Sequence, residues 1–324
     1  GMIRNIYILL LLSLSYSATL LVPDEYSTIQ SAIDASSNGD SVLVSAGTYL
    51  ENIIWPATNG IKLIGSGEDD CIIDGDSLAS VIRFEGGSSI DSTTLITGFT
   101  IQNGFAQGIH PYHDGGGMYL EESSPTFTNV TFSNNTAEAW GGGMNLYYSS
   151  PTLTDVTFSG NTAVSGGGMS LYESSPTLEN VTFRNNTAEG TEFESGGGGM
   201  SLEDSSPTLT NVTFSGNSTG EYGGGMMLYY SSPTLIDVTF SGNSAECSGG
   251  MDLISSSPTL TNVTFSNNTA DWGGGMFLEN SNPTLTGVTF SGNSADYSGG
   301  GMYLNQSSPT LTNVTFSNNT ADWG

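Results

Sequence analysis

One segment repeats along the chain from Pro125 to the last residue, and it constrains the fold more than any other feature of the sequence. Each copy reads approximately Pro-Thr-Leu-Thr-Asn-Val-Thr-Phe-Ser-Asn-Asn-Thr-Ala, followed after a short variable stretch by Gly-Gly-Gly-Met-x-Leu-x-x-Ser-Ser. Eight copies follow one another, mostly 25 or 26 residues apart and once 31, and they open on Pro125, Pro151, Pro176, Pro207, Pro233, Pro258, Pro283 and Pro309. A repeat of this period predicts a solenoid in which every copy forms one coil.

The first half of each copy has the pattern of a strand that turns a corner. In the third copy the apolar residues are Leu178, Val181 and Phe183, and Val-Thr-Phe alternates as a strand with one buried face requires. The three-residue step from Leu to Val interrupts this alternation at an Asn, Asp or Gly, which favours a tight bend.

An asparagine stands ten residues after every opening proline. We expect these side chains to stack in a turn and to hydrogen-bond their amides from coil to coil. They are Asn135, Asn161, Asn186, Asn217, Asn243, Asn268, Asn293 and Asn319.

The second half of each copy predicts another strand, Gly-Met-x-Leu. Eight of the ten methionines have a leucine two residues later, and they are Met118, Met144, Met169, Met200, Met226, Met251, Met276 and Met302. Methionine fills irregular apolar space, so core packing is the interpretation we prefer to a functional methionine stripe for copper or a promiscuous partner. The glycines before each methionine disfavour a helix by about 1 kcal/mol each.

A leucine-rich repeat is the competing solenoid, because Leu-x-x-Val-x-Phe-x-x-Asn matches its spacing. That architecture needs a helical or extended return segment, whereas this return segment is glycine-rich and reads as a second strand closed by a turn. Two or three short strands per coil without a helix predict a parallel β-helix.

All variation in repeat length lies between the asparagine and the methionine, in one loop that must recur along one edge of the coil stack. Most copies carry a carboxylate after the alanine of this loop, and aromatic residues such as Trp140 and Trp272 stand nearby. Loops on a rigid scaffold are where function tends to lie. A solvated acidic edge whose aromatics cover the ends of the core is the alternative.

The chain of 324 residues carries a formal charge of −28, and its cations are Arg4, Lys62, Arg83 and Arg184. This charge argues against binding to nucleic acid or to an anionic membrane. No cofactor is expected from the sequence, although stacked carboxylates repel one another and calcium could relieve that repulsion. The sequence lacks the acidic Gly-Gly-x-Gly-x-Asp calcium repeat, and calcium therefore stays a hypothesis.

Residues 1–17 read as a secretory signal: Arg4 precedes an apolar run from Ile6 to Leu14, which small residues follow. The run is too short to span a bilayer. We therefore expect an exported protein, extracellular or on a bacterial outer-membrane surface.

Residues 18–114 predict an N-terminal cap and irregular first coils, and residues 115–324 predict the regular repeats. Ser27 or Thr28 is placed to begin a short helix that caps the first coil. Ser41–Ser45 is expected to be the first strand. Cys71 and Cys247 imply no disulfide framework.

These segments resemble known families. Thr28–Glu51, with the following IKLIGSGEDDCIIDGD and LITGFTIQNG, resembles the N-terminal cap and first coils of bacterial right-handed β-helix proteins of the pectin-lyase-like superfamily. Gly-Gly-Gly-Met and Phe-x-x-Asn resemble the repeats of polymorphic outer-membrane proteins. The resemblance implies an all-β fold: a right-handed parallel β-helix with a short N-terminal capping α-helix.

The outer-membrane proteins of this kind act as adhesins and end in a translocator barrel, as the resemblance implies. This sequence stops in mid-repeat at Trp323–Gly324. We therefore expect it to be truncated at its C-terminus, where an anchor or sorting domain would follow.

The superfamily's enzymes are pectate lyases, pectin esterases and polygalacturonases. Such a lyase needs a basic residue beside calcium-binding aspartates, whereas Arg184 is followed by asparagines. A hydrolase needs converging carboxylates, but Asp155 and Asp237 would lie about 15 Å apart on non-adjacent coils. No catalytic residue is assigned.

His110, His113 and Asp114 form the one irregular cluster with metal-ligand chemistry. The alternative is that two loop histidines are simply exposed to solvent.

We predict an exported, non-catalytic surface protein, adhesin-like or carbohydrate-contacting, that binds a polysaccharide or cell-surface ligand as a monomer. Aromatic side chains can stack on sugar rings, and the candidates are Trp140, Tyr147, Tyr148, Tyr172, Tyr222, Tyr229, Tyr230, Trp272 and Tyr297. A polysaccharide-active lyase or hydrolase is the first alternative. An ice-binding β-helix is the second, because outward threonines such as Thr126 and Thr131 recur in every copy.

Overall fold

The computed structural model of the chain describes residues 17–87, 89–191 and 195–323. Its strands form a solenoid of about 12 coils in which each coil pairs in parallel with the next. The predicted parallel β-helix with one short N-terminal helix is confirmed. The predicted signal segment lies outside the described residues except for Ser17.

One side of the solenoid is a sheet of 20 strand segments that bends at the predicted corner; we call it the Thr-Phe sheet. The segments that precede the corner, or run through it, are Thr19–Val22, Ser41–Val44, Lys62–Gly65, Leu95–Gln102, Thr126–Ser133, Thr152–Ser159, Thr177–Glu179, Thr208–Thr210, Thr234–Ile236, Thr259–Thr261, Thr284–Thr286 and Thr310–Thr312. Those after it are Gly47–Leu50, Cys71–Asp74, Thr182–Arg184, Thr213–Ser215, Thr239–Ser241, Thr264–Ser266, Thr289–Ser291 and Thr315–Ser317.

The corner is built as the sequence predicts. The residue four places after each proline has a positive φ, for example 52° at Asn129 and 54° at Asp155. Asparagine, aspartate and glycine adopt this left-handed conformation more readily than other residues. The predicted threonine ladders are also in register, as in the pairs Thr126–Thr152 and Thr131–Thr157; ice binding by them stays a prediction.

The opposite side is a sheet of ten strands, which we call the Met-Leu sheet. Its strands are Ile53–Ile54, Ile82–Phe84, Met118–Glu121, Met144–Tyr147, Met169–Tyr172, Met200–Glu203, Met226–Tyr229, Met251–Ile254, Met276–Glu279 and Met302–Asn305.

Two narrow sheets close the third side, one of five strands and one of three. Their strands are Phe105–Ala106, Thr136–Ala137, Thr162–Ala163, Thr187–Ala188 and Ser218–Thr219, then Thr269–Trp272, Ser294–Ser298 and Thr320–Ala321.

The inward side chains form ladders that fill the solenoid. Phe158 stacks on Phe183 with ring centroids 4.8 Å apart and planes within 4° of parallel, and this contact recurs from coil to coil. The repeat methionines from Met118 to Met276 are fully buried in the same core. The preference for core packing over a functional methionine stripe is therefore confirmed for these residues.

The predicted asparagine ladder is also present. Nδ2 of Asn161 donates to Oδ1 of Asn186 and to the carbonyl of Phe132, so each amide bonds to the next coil and to the preceding one. These asparagines are fully buried from Asn135 to Asn293. The ladder supplies polar partners inside a turn that water does not reach.

The helix spans Ile29–Ala35 and begins at Thr28, whose side chain accepts a hydrogen bond from the backbone of Ser31. Ile29, Ala32 and Ile33 are buried in the core, as expected for a helix that covers the first coil. The prediction that Ser41–Ser45 is the first strand is wrong. Thr19–Val22 precedes the helix and pairs in register with Ser41–Val44, because its Leu20 and Val22 alternate into the core.

Cys71 is a buried free thiol and Cys247 a partly exposed one. Among the described residues, no helix has the length and apolar character needed to cross a membrane.

Candidate functional site

A groove with a volume of about 380 Å³ lies on the outer face of the Met-Leu sheet. Its floor consists of the residues one and three places after the ladder methionines, which alternate outward because the methionine and leucine point into the core. One end of the groove is formed by the loop that contains His110, His113 and Asp114, together with Trp140 of the variable edge.

The floor combines small polar side chains with tyrosines. Asn145, Ser170 and Ser201 occupy the first outward position in successive coils, and Met227 follows them. The small side chains create the depth of the groove, because the flanking positions carry larger residues.

Tyrosines occupy the second outward position. Tyr147 and Tyr172 lie face to face in adjacent coils, with ring centroids 5.2 Å apart and planes at 15°. Glu203 takes the place of a tyrosine in the next coil, and Tyr229 follows it. Since neighbouring strands lie about 4.8 Å apart, the backbones that carry Tyr172 and Tyr229 are about 10 Å apart with Glu203 between them.

Aromatic rings also enclose the loop end of the groove. The Trp140 ring lies 5.7 Å from that of His113 and 6.5 Å from that of His110, both edge-on. His110 is 6.1 Å from Tyr147, measured between ring centroids. The loop histidines and the tyrosine ladder therefore belong to one continuous surface.

The carboxylate of Asp114 is the centre of the loop cluster. Its Oδ2 lies 3.0 Å from Nδ1 of His110, and its Oδ1 lies 3.4 Å from Nε2 of His113. The side chain of Asp114 is 2% exposed, compared with 22% for His113 and 55% for His110. Burial raises the pKa of Asp114, and the two histidines act in the opposite direction.

Arg83 is buried beneath this loop and binds its backbone. Its guanidinium donates to the carbonyls of Asp114 and Pro111 at 3.3 and 3.2 Å, and to Ser80 Oγ at 3.1 Å. It also lies over the Tyr119 ring, 4.3 Å from the centroid. Burial lowers the pKa of Arg83, but the guanidinium remains charged at neutral pH.

The structure separates the predicted sugar-contacting aromatics into two groups. Trp140, Tyr147, Tyr172 and Tyr229 line the groove. The others lie beside it or along the variable edge, and these are Tyr148, Tyr222, Tyr230, Trp272 and Tyr297. Trp272 and Tyr297 stack on each other at 4.7 Å, and Tyr148 donates to Glu173 from the exposed rim.

Sequence reasoning missed the polar part of the groove and its support. Asn145, Ser170 and Ser201 follow the ladder methionines directly, so outward alternation along the Met-x-Leu strand could have identified them. Arg83 gave no such signal, because it lies in an irregular coil, 28 and 31 residues before the two residues whose carbonyls it binds.

The charge of the groove is negative. Of the described residues that line it, none is Lys or Arg, and the carboxylates are Asp114 and Glu203. Asp114 lies at the loop end and Glu203 lies three coils further on, which corresponds to about 14 Å.

The sequence matches the family model described as "Right handed beta helix region" over residues 33–193 and 185–321. A search of curated proteins gave no match.

Among solved structures, an alginate lyase from Paenibacillus sp. str. FPU-7 is similar, with a TM-score of 0.57 and 11% identity over 90% of this chain and 99% of that one. A pectin methylesterase from carrot gives a TM-score of 0.46 at 12% identity, over 76% of this chain and 81% of that one. A polygalacturonase from Erwinia carotovora ssp. carotovora gives a TM-score of 0.45 at 15% identity, over 95% of this chain and 94% of that one. At these identities the likeness concerns the fold alone.

Proposed function

The chain belongs to the right-handed beta helix family, and on this basis we propose that it is a glycan-binding protein whose ligand lies in the groove of the Met-Leu sheet. The observation that carries the proposal is the lining of the groove, where Trp140, Tyr147, Tyr172 and Tyr229 alternate with hydroxyl and amide side chains. Sugars present C–H faces that pack on aromatic rings and hydroxyls that hydrogen-bond to such polar groups.

The coils that carry Tyr172 and Tyr229 are about 10 Å apart, so a glycan chain that runs along the groove would reach both tyrosines. Glu203 stands between the two tyrosines and is placed to accept hydrogen bonds from sugar hydroxyls. Tyr147 and Tyr172 cover each other's faces, so Trp140, which is 45% exposed, is the better stacking platform at the loop end.

The preferred glycan is neutral. A uronate polymer such as alginate carries a carboxylate on each sugar, and it would face Asp114, Glu203 and the protein's formal charge of −28. Arg83 is buried beneath the loop and is 3% exposed. It therefore cannot pair with a ligand carboxylate in the groove.

Binding without cleavage is part of the proposal. Glycoside hydrolases hold two carboxyl groups about 5–9.5 Å apart across the scissile bond. Asp114 and Glu203 are separated by more than this, and a histidine nitrogen lies within 3.4 Å of each carboxylate oxygen of Asp114. Export to the cell surface or medium remains part of the proposal, supported by the apolar segment that follows Arg4.

A polysaccharide lyase is the second candidate, and one observation favours it. His110 and Tyr147 lie side by side in the groove, beside Asn145. Histidine and tyrosine can act as general base and general acid in proton abstraction. The groove offers no Lys or Arg among its described lining residues to neutralise a uronate carboxylate, which ranks this candidate below binding.

A glycan array with parallel assays for released sugar ends tests the proposal. We expect binding to neutral oligosaccharides, a loss of affinity of about tenfold in Trp140→Ala and in Tyr172→Ala, and no new sugar ends. Tyr297→Ala is the matched control, because it removes an exposed aromatic residue away from the groove. Release of unsaturated ends would support the lyase instead, and equal loss in the control would refute the groove as the site.

A further inference from the structure

We infer that His110, His113 and Asp114 form a binding site for a divalent transition metal of the Zn²⁺ class at the loop end of the groove. The inference does not depend on glycan binding. Among the described residues, these three form the one group of histidine, cysteine and acidic side chains whose ligand atoms all lie within 4.8 Å of one another.

The distances suit a small ion held by nitrogen and oxygen. Zinc lies about 2.0–2.1 Å from histidine nitrogen and carboxylate oxygen, so two ligands of a tetrahedral ion lie about 3.3–3.4 Å apart. His113 Nε2 and Asp114 Oδ1 are separated by 3.4 Å. His110 Nδ1 is 3.0 Å from the other oxygen of the same carboxylate, and the three ligand atoms all lie within 4.8 Å of one another, so His110 is close enough to be the third ligand.

Two of the proposed ligand atoms are buried without a hydrogen-bond partner. Among the described residues, neither Nε2 of His113 nor Oδ1 of Asp114 finds one. Buried polar atoms are nearly always satisfied in native proteins, and two unsatisfied atoms that lie 3.4 Å apart call for an explanation such as a shared ion. A metal bound to both atoms would satisfy them together.

The surrounding structure holds the ligands in place. Arg83 binds the backbone of the loop through the carbonyls of Pro111 and Asp114. On the other side the amide of Ala139 donates to the carbonyl of His113 at 3.2 Å, and the amide of Gly115 donates to that of Trp140 at 2.8 Å. Such backbone support positions metal ligands before the ion arrives.

The chemical type of the three ligand atoms determines which metals the site would bind. Imidazole nitrogen favours zinc, copper, nickel and cobalt, whereas calcium takes six to eight oxygen ligands. Two histidines and one carboxylate would leave a fourth position open for a further ligand, and all three residues line the groove. Three protein ligands with an open position are typical of zinc sites that engage a further molecule.

The site is tested by calorimetric titration with ZnCl₂ and, separately, with CaCl₂. The protein used is the full chain without a polyhistidine tag, treated beforehand with a chelator. We expect one equivalent of Zn²⁺ to bind, calcium to bind more weakly, and Asp114→Asn or His113→Gln to weaken zinc binding by more than about 100-fold. Circular dichroism of each variant reports whether the fold is retained.

Two controls separate this site from adventitious binding. Asp155→Asn removes an exposed carboxylate of the corner, and Cys247→Ala removes the partly exposed thiol. Both substitutions should leave the stoichiometry and affinity of zinc binding unchanged. A second readout is quenching of Trp140 fluorescence by Co²⁺ or Ni²⁺, which Trp140→Phe should abolish. Absence of zinc binding in the wild type, or undiminished binding in the folded Asp114→Asn variant, would overturn the inference.

Discussion

Asn161 and Asn186 are joined across adjacent coils by two hydrogen bonds, from the backbone N and from Nδ2 of Asn161 to Oδ1 of Asn186, at 3.0 and 2.9 Å. Nδ2 of Asn186 in turn donates to the carbonyl of Phe158 and to Oδ1 of Asn217. The side chain of Asn186 therefore satisfies polar groups on the coils before and after its own, in a region without exposure to solvent.

Replacing Asn186 with alanine should destabilise the protein by about 3 kcal/mol, because at least two buried groups would lose their partner and each costs about 1–3 kcal/mol. Urea denaturation followed by circular dichroism measures the change. Thr177→Ala, at an exposed outward position of the same coil, should change the free energy of unfolding by less than about 0.5 kcal/mol. Equal effects of the two substitutions would contradict the structural role of the ladder.

Substitutions at two glycines, one in a Gly-Gly-Gly triplet and one in a variable loop, should affect stability in different ways. A Cβ on Gly142 would lie 2.4 Å from the carbonyl oxygen of Thr162 and 2.5 Å from that of Gly167, whereas a Cβ on Gly220 would meet nothing within 4 Å. Gly142→Ala should therefore destabilise the protein by about 2–3 kcal/mol through overpacking. Gly220→Ala should be neutral or stabilise it by up to about 1 kcal/mol by restricting the unfolded chain. Thermal denaturation of the two variants side by side distinguishes them.

The fold could be predicted from sequence because every coil of the regular region repeats the same pattern of apolar, turn-forming and hydrogen-bonding residues. The spacing of apolar residues determines which side chains point inward, and an Asn, Asp or Gly permits the corner. The asparagine ten residues after each proline provides hydrogen-bond partners for the buried polar groups of the turn. Eight copies make each signal visible. The first strand was missed because Thr19–Val22 belongs to no repeat and adjoins the signal segment.

The candidate site was predicted in parts but not as a whole. His110, His113 and Asp114 stood out as an irregular cluster, and Tyr147, Tyr172 and Tyr229 as outward aromatics. Their contact depends on how the 107–114 loop folds back over the next coil, which the contact of His110 with Tyr147 shows. No periodic pattern encodes such a contact, because the loop occurs once. The same holds for Arg83, whose partners are backbone carbonyls and carry no sequence signal.

Cys247 should react slowly with alkylating reagents in the folded protein. Burial, followed by the carboxylates of Asp252, Glu246, Glu221 and Asp271, raises the pKa of its thiol to about 12. The reactive thiolate is therefore scarce at pH 8. Iodoacetamide labelling, read by peptide mass spectrometry, should be slow in buffer and fast in urea. Labelling of the folded chain at the unfolded rate would contradict the environment described for Cys247.

Asp252 is the carboxylic acid buried most deeply among the described residues, with no exposed surface. It occupies the outward position that Asn145, Ser170 and Ser201 take in other coils, between Met227 and Phe277 of the adjacent strands. Neither carboxylate oxygen has a hydrogen-bond partner among the described residues. Burial, with a smaller contribution from the charge of Glu279, raises the pKa of Asp252 well above its usual value.

This raised pKa makes stability fall as pH rises. Between the unfolded pKa of about 4 and the higher folded pKa, the folded state holds a proton on Asp252 that the unfolded state has released, so each pH unit costs up to about 1.4 kcal/mol. Asp252→Asn removes this dependence and places a neutral side chain there, as Asn145 does in its own coil. Urea denaturation at a series of pH values should show that the stabilising effect of Asp252→Asn grows from pH 4 upward. Asp155→Asn removes the same charge from an exposed corner and should not reproduce this trend. If the free energy of unfolding changed with pH in the same way for wild type and Asp252→Asn, Asp252 would ionise in the folded state without cost.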